Sequence, residues 1–386
     1  AEDGIRDVAV TGVQTCALPI YTDVNSLLRS WRLPESPFTA QQPVTLRALL
    51  SHTAGTTVPG FPGYEVGTPV PTVPELLSGV GVANTPGVES FAVPGTVSQY
   101  SGGGTTIVQQ VVCDVTGRDF TELMRELVLS LLVMTDSDFD QPIAPHRRAR
   151  ACTGHRPDGQ AIASGHHVYP ELQAAGLWAT AVDLARWIIG VQAAIRGDAG
   201  AVISANTAQM MITEIAPGPF GLGPEMAGSG AGRHFGHGGS NAGFRSQLDG
   251  LIDGRSGMVM MTNGDGGTTL CGEFRRAVAL EHAWGHTDIT EIDIADVDAS
   301  VLRQYVGRYR GPFDLPMRLD LVDGELFSPA PYGRRRMFPL GPTTFLDEES
   351  GATLEFETTD GSVRRVAVLV GGNELMAFEP VHEEGR

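Results

Sequence analysis

Two ring-bearing side chains lie in short motifs that could take part in proton transfer. Tyr100 is followed by a serine and three glycines, and His237 opens the sequence His-Gly-Gly. A phenol acts as a base only where nearby positive charge lowers its pKa from the usual value of about 10. An imidazole can orient or polarise a bound group, with less charge than a lysine carries at neutral pH. The two motifs can work together only if the fold brings both rings to one cleft.

The residues around both motifs predict the elements that must position them. Apolar residues at helical spacing predict a helix over residues 105–115, directly after the Tyr100 motif, with Gly117 as its stop. Residues 233–263 predict antiparallel strands joined by a turn, and His237 falls on one of them. Gly238 and Gly239 on such a strand would let a substrate lie close to the backbone.

Further helices are predicted before, between and after the two motifs. Thr180, followed three residues later by Asp183, is typical of a helix start, and an apolar stripe continues to residue 195. The other predicted helices cover residues 44–51, 73–78, 119–132, 204–213 and 268–284. Helices that flank an antiparallel sheet make residues 21–286 an α+β domain.

The C-terminal part of the chain has a different pattern. Over residues 300–386, short alternating runs are separated by Asp-Gly and Gly-Gly pairs at hairpin spacing. This pattern predicts a small antiparallel β barrel or sandwich as an accessory domain. Residues 287–299 are acidic and polar without a helical period, and we expect them to be an interdomain linker.

Composition excludes several classes of function. The formal net charge of −18 argues against nucleic acid as a partner, since phosphates require basic patches. No apolar run reaches the roughly 18 residues of a membrane span. We expect no metal or cofactor, because the cysteines are far apart and the spacing of His166, His167 and His234 fits no common ligand pattern.

Several segments, in this order along the chain, resemble the class C β-lactamase and penicillin-binding-protein family of serine hydrolases. They are LLSHTAG at residues 49–55, PGTVSQYSGGG at 94–104, AAGLWATAVDLARW at 174–187, FGLG at 220–223, FGHGGSNAGFRS at 235–246 and MVMMTNGDGG at 258–267. The resemblance implies a β-lactamase/transpeptidase-like fold, with an antiparallel sheet flanked by helices. It also implies acyl transfer through a covalent acyl-enzyme.

The resemblance assigns roles to individual residues. Tyr100 matches the tyrosine of the second family motif, and His237 matches the third motif, so both are predicted to be catalytic. The other predicted site residues bind substrate or form the oxyanion hole, with the Ser240 N–H as the oxyanion donor; they are Ser101, Gly102, Gly238, Gly239 and Ser240. In the family, the histidine at the position of His52 is usually structural.

The sequence departs from the family in two respects. Gly102 replaces an asparagine that normally bonds substrate, which puts substrate binding in doubt. Every basic residue is arginine, so the lysine of the Ser-x-x-Lys nucleophile motif is missing, and arginine stays protonated and cannot replace it. Residues 1–20 resemble a translated sequencing adapter, and we expect an N-terminally truncated, inactive chain whose fold is incomplete at that end.

The leading hypothesis is therefore a serine hydrolase in its full-length form, acting on a β-lactam, a D-amino-acid peptide or an ester. Its partner would be a small-molecule or peptide acyl substrate. The alternative is a non-catalytic binding or regulatory protein of the same fold, which Gly102 and the missing lysine would suit. The sequence itself does not give the compartment, although the resemblance is compatible with a periplasmic or secreted location.

Overall fold

A computed structural model describes residues 20–284 except 253 and 255, and residues 292–381 except 312–315, 331–332, 348–350 and 371–372. The adapter-like segment lies outside the described residues apart from Ile20, which is buried. The chain divides into two compact units between Thr287 and Asp288. The predicted linker lies at this division, and its residues 287–291 are outside the described part.

The sequence predicts seven helices in the first unit, and each is present, although the one predicted over residues 119–132 becomes a π-helix at Arg125–Leu129. With two further short helices, the described residues of this unit contain nine α-helices. They are α1 (Val24–Leu27), α2 (Leu46–Leu50), α3 (Val73–Ser78), α4 (Gly102–Thr116), α5 (Phe120–Met124), α6 (Leu172–Ala175), α7 (Ala181–Arg196), α8 (Ala205–Met211) and α9 (Gly267–Glu281). Thr180 caps α7 as expected, because its hydroxyl accepts a bond from the Asp183 N–H at 3.2 Å. The Asp183 carboxylate bonds to Ser137 instead of closing a capping box.

An antiparallel four-stranded sheet forms the other part of this unit. Its strands are β3 (Glu225–Ala227), β4 (His234–Asn241), β5 (Phe244–Leu251) and β6 (Gly257–Thr262), in that order across the sheet. A two-stranded ribbon pairs β1 (Tyr64–Glu65) with β2 (His167–Val168). Within the described residues, β6 pairs only with β5, so its other edge is open.

Helices cover both faces of the sheet. A Cβ atom added to Gly257 would lie 2.9 Å from Ile188 of α7, which places α7 over that face. On the opposite face, Arg275 of α9 lies 2.8 Å from the buried carboxylate of Asp249 in β5. The apolar core between the sheet and the helices includes Leu46, Ile107, Val111 and Phe235. This layered arrangement is the predicted α+β architecture.

The second unit is a closed eight-stranded barrel in which every neighbouring pair is antiparallel. A short helix, α10 (Ala299–Leu302), precedes it. The strands are β7 (Gly307–Arg310), β8 (Pro316–Val322), β9 (Glu325–Ala330), β10 (Gly333–Pro339), β11 (Thr344–Asp347), β12 (Thr353–Thr359), β13 (Ser362–Val370) and β14 (Asn373–Pro380). Packed aromatic rings fill its core, among them Tyr305, Phe345 and Phe356. The structure thus gives a barrel and not a sandwich.

Candidate active site

The start of α4 fixes the position of Tyr100. The hydroxyl of Ser101 caps the helix, accepting a bond from the Gly104 N–H at 2.8 Å and donating one to the Thr57 carbonyl at 2.7 Å. The Ser101 N–H donates to Nδ1 of His52 at 3.1 Å. Ser101, which directly follows Tyr100, is therefore held by three hydrogen bonds, and these fix one side of the backbone from which the Tyr100 ring projects.

His52 packs against the ring of Tyr100, with 4.3 Å between the ring centroids. Burial, with a smaller contribution from His237, lowers the pKa of His52 to about 4. Because Nδ1 accepts a hydrogen bond, the neutral ring carries its proton on Nε2. This arrangement suits the structural role that the family resemblance implies for His52.

His237 lies on β4 and its ring faces Tyr100. The two ring centroids are 5.8 Å apart at an interplanar angle of 48°. Nδ1 of His237 donates to the carbonyl of Gly238 at 2.5 Å, which leaves Nε2 as the acceptor of a neutral ring. The structure therefore brings the phenol and the imidazole to the same cleft, although they are far apart in sequence.

The edge of β4 beyond His237 is open to a ligand. Strand β3 pairs with β4 only as far as Gly236, so within the described residues no strand covers positions 238–240 on that side. Gly238 and Ser240 are exposed and Gly239 is partly exposed. A Cβ atom at Gly239 would lie 2.3 Å from the hydroxyl oxygen of Ser246, so a larger residue here would require that hydroxyl to rotate away.

The surroundings of Tyr100 keep its phenol protonated. Burial of the hydroxyl, and then the carboxylate of Glu225, raise the pKa of Tyr100 above its usual value. Both effects disfavour the phenolate, and within the described residues neither is offset by a positive charge. At neutral pH Tyr100 is accordingly a hydrogen-bond donor, and it needs a cation beside it before it can act as a base.

Ser101 and Gly102, which the sequence predicts as substrate-binding residues, are both buried. Ser101 is only 1% exposed and its hydroxyl serves as the helix cap, so the structure does not place this hydroxyl in the cleft. A Cβ atom at Gly102 would lie 3.1 Å from Cε2 of Phe61 and 3.2 Å from the Pro59 carbonyl. An asparagine at this position would therefore collide with the loop that contains Phe61.

Two aromatic residues beside Tyr100 and Gly102 are not among the predicted site residues. Phe220 packs edge-on against His52 at 4.6 Å and lies 6.0 Å from Tyr100, measured between ring centroids. Phe61 covers Gly102. Phe220 belongs to the FGLG segment that contributed to the family resemblance, but nothing in the sequence pairs either ring with Tyr100.

A buried ion pair supports the far end of β4. Arg245 lies 2.9 Å from the carboxylate of Asp265, and both side chains are almost fully buried. The same carboxylate accepts a bond from the Gly243 N–H at 2.8 Å. The side-chain amide of Asn241 donates to the Ala175 carbonyl at 2.8 Å. These contacts tie the β4–β5 turn to α6 and to the loop before α9, and so fix the open edge.

Comparison with known families identifies this architecture. A family model described as "Beta-lactamase" matches residues 23–281, which is more than half of the chain. The chain belongs to the β-lactamase family. The matched range includes Tyr100, just before α4, and His237 on β4. A comparison with curated proteins gave no match.

Three solved structures share the fold at low sequence identity. SurE covers 98% of this chain and 86% of its own, with 19% identity and a TM-score of 0.54. The octameric penicillin-binding protein homologue from Pyrococcus abyssi has 17% identity and a TM-score of 0.56, again over 98% of this chain and 86% of its own. A penicillin-binding protein from Bacillus halodurans covers 72% of this chain and 81% of its own, with 18% identity and a TM-score of 0.52.

The described residues contain neither a candidate membrane span nor a candidate metal cluster. None of the helices there has the length and apolarity needed to cross a bilayer. Within the same residues, histidine, cysteine and carboxylate side chains form no group of three or more that could hold a metal ion.

Proposed function

We propose that the cleft between α4 and β4 binds the acyl group of a substrate in a serine hydrolase of the β-lactamase and penicillin-binding-protein type. The single observation that carries this proposal is the meeting of Tyr100 and His237, 5.8 Å apart between ring centroids, beside the open edge of β4. The edge offers backbone groups of Gly238 and Ser240 to an extended ligand, as strand addition requires.

Each residue has a defined part in the proposed reaction. A serine nucleophile attacks the acyl carbon, and its hydroxyl proton passes through the Tyr100 hydroxyl to the leaving group as the bond between acyl carbon and leaving group breaks. Water then attacks the acyl-enzyme, which releases the acid and returns a proton to the serine oxygen. The Ser240 N–H stabilises the negative charge that develops on the acyl oxygen. His237 orients the substrate through Nε2. The hydrolase needs a Ser-x-x-Lys pair, and none occurs within residues 1–386 because the sequence has no lysine. We therefore expect these residues alone to be inactive.

The substrate classes that we propose are a β-lactam, a D-amino-acid peptide and an ester. The ligand of one structural neighbour and the name of another support the D-amino-acid peptide. SurE has been solved with D-Leu, and a D-stereospecific amidohydrolase from Streptomyces covers 72% of this chain and 84% of its own at a TM-score of 0.50 and 17% identity.

The test uses the protein extended by its upstream coding sequence, compared with residues 1–386. Both proteins are incubated with a chromogenic β-lactam, a D-amino-acid amide and a p-nitrophenyl ester. We expect turnover of at least one compound by the extended protein only. Tyr100→Phe and His237→Ala should each lower kcat/KM by about 10²-fold or more, whereas the exposed controls Tyr21→Phe and His282→Ala should not.

Two outcomes would contradict this proposal. Full activity in both Tyr100→Phe and His237→Ala would show that the reaction takes place elsewhere. An extended protein that binds these compounds without turnover or a covalent adduct would instead favour the non-catalytic alternative. That alternative is supported by Gly102, because a glycine there provides no polar side chain to bond a substrate and its surroundings leave little room for one.

A further inference from the structure

A rigid loop, residues 57–65, covers the start of α4 next to the cleft; we call it the covering loop. The carbonyls of Val58 and Pro59 accept bonds from the N–H groups of Gly103 and Gly102, at 2.9 and 3.2 Å. Its far end continues into β1, which pairs with β2. The loop is thus bonded to two separate elements, and it belongs to the fixed wall of the site.

Backbone groups of the covering loop are largely engaged in hydrogen bonds within the protein. The Pro62 carbonyl accepts a bond from Nδ1 of His167 at 2.8 Å. The Gly63 carbonyl accepts one from the side-chain amide of Asn84 at 2.8 Å. Prolines at positions 59 and 62 have no N–H to offer. The loop can therefore give a ligand an apolar surface but few hydrogen bonds.

Phe61 supplies that apolar surface. Its ring lies in the direction that a side chain at position 102 would take, since a Cβ atom there would be 3.1 Å from Cε2 of Phe61. Gly102 is two residues from Tyr100, whose ring lines the cleft together with Phe220. Phe61 is packed against the main core on one side but remains partly exposed.

We propose that Phe61 is a specificity-determining residue that selects acyl compounds carrying an aromatic or other bulky apolar group. This inference rests on the proposed function, because it assumes that the acyl substrate lies between Tyr100 and His237. The accessible part of the Phe61 ring packs against the apolar group, and Gly102, which lies beneath the ring, has no side chain to bind a polar one. An aromatic pair of this kind, with the area that it buries, favours the apolar ligand by about 10-fold.

Two ligands that differ only in a phenyl ring test this inference on residues 1–386, where no turnover interferes. They are the methylamides of N-phenylacetyl-D-alanine and N-acetyl-D-alanine, titrated by ligand-detected NMR. We expect the first compound to bind about 10-fold more tightly than the second. Phe61→Ala should reduce this ratio to about 2-fold, and Phe61→Leu, which keeps an apolar side chain on the covering loop, should give an intermediate ratio.

A matched control separates this site from general hydrophobic binding. Phe274 is 41% exposed on α9, on the opposite face of the sheet, so Phe274→Ala should leave the ratio unchanged. An equal ratio in the unaltered protein and in both Phe61 variants would overturn the inference. A reduction of the binding ratio in Phe274→Ala as large as that in Phe61→Ala would also overturn it.

Failure of this inference can be told apart from failure of the proposed function. If neither compound binds, the role of Phe61 is refuted, and the proposed function is then decided by turnover in the extended protein. If the extended protein turns over substrate but Phe61→Ala has no effect on the binding ratio, only the specificity role is refuted.

Discussion

Glu171 offers a sharp test of the packing behind the cleft. It lies at the start of α6, and the whole residue is 0% exposed. Neither carboxyl oxygen has a hydrogen-bond partner in another described residue, and only the residue's own backbone opposes the effect of burial. Burial raises the pKa of this carboxyl from 4.5 to about 8. Glu171→Gln replaces it by a group of similar shape that cannot ionise.

The direction in which the free energy of unfolding changes with pH follows from the unfolded and folded pKa values of Glu171. The folded pKa lies above the unfolded one, so the folded protein binds more protons between pH 4.5 and about 8. The stability that the protonated carboxyl contributes is complete below pH 4.5 and is lost as the pH rises through about 8. The difference between the two values corresponds to at most about 5 kcal/mol. Glu171→Gln should remove this pH dependence.

Urea unfolding followed by tryptophan fluorescence at pH 5, 7 and 9 measures this difference. The four tryptophans, Trp31, Trp178, Trp187 and Trp284, all lie in the first unit, so the signal reports on that unit alone. Other titrating groups, such as His52, affect the unaltered protein and the variant alike and cancel when the two are compared.

The exposed residue Glu65 on β1 provides the matched control. Between pH 5 and pH 9, the unaltered protein should lose several kcal/mol more of its free energy of unfolding than Glu171→Gln does. Glu65→Gln should behave like the unaltered protein. An identical pH dependence in all three proteins would refute the buried, unpartnered state of Glu171.

Three further stability predictions follow from the contacts around the site, each measured by urea unfolding. Ser101→Ala removes the cap of α4 and should cost about 1 kcal/mol, so an unchanged free energy of unfolding would contradict the capping role. Asp265→Ala leaves Arg245 buried without its carboxylate and should cost about 3–5 kcal/mol; a loss below 1 kcal/mol would contradict it. Gly102→Ala should cost about 1–3 kcal/mol through crowding, and part of this cost should disappear when Phe61→Ala is also present; additive losses would show that the two residues do not touch.

Local sequence signals predicted the helices well because caps and apolar spacing act over a few residues. The helix at Val73–Ser78 was predicted with these bounds, and its capping box joins Thr72 and Glu75. Helix α4 begins earlier than predicted, at Gly102, because the Ser101 cap and the covering loop bind its first N–H groups. Three consecutive glycines have low helix propensity, so propensity alone could not reveal this start.

Long-range pairing was harder to predict. Alternating runs over residues 300–386 fit a barrel and a sandwich equally well, because both bury one face of each strand. The barrel closes through pairs such as Glu379 with Arg310, which lie at opposite ends of that region. No short-range pattern in the sequence specifies such a pair.

The candidate site shows the same division. Tyr100 and His237 could be predicted as candidates because each lies in a recognisable motif, and their ring centroids lie 5.8 Å apart in the structure. Phe61 could not, since it lies far earlier in the chain in a loop rich in proline and glycine. Its contact with Gly102 depends on tertiary packing, which the sequence does not display.

The most direct test of the account is the intact mass of the protein after incubation with a slowly released β-lactam or activated ester. The protein extended by its upstream sequence should gain the mass of one acyl group, on the serine of a Ser-x-x-Lys pair. Residues 1–386 alone should gain none. An acyl group on a residue of this chain, or no adduct and no turnover by the extended protein, would contradict the assignment of the Tyr100–His237 cleft to acyl transfer.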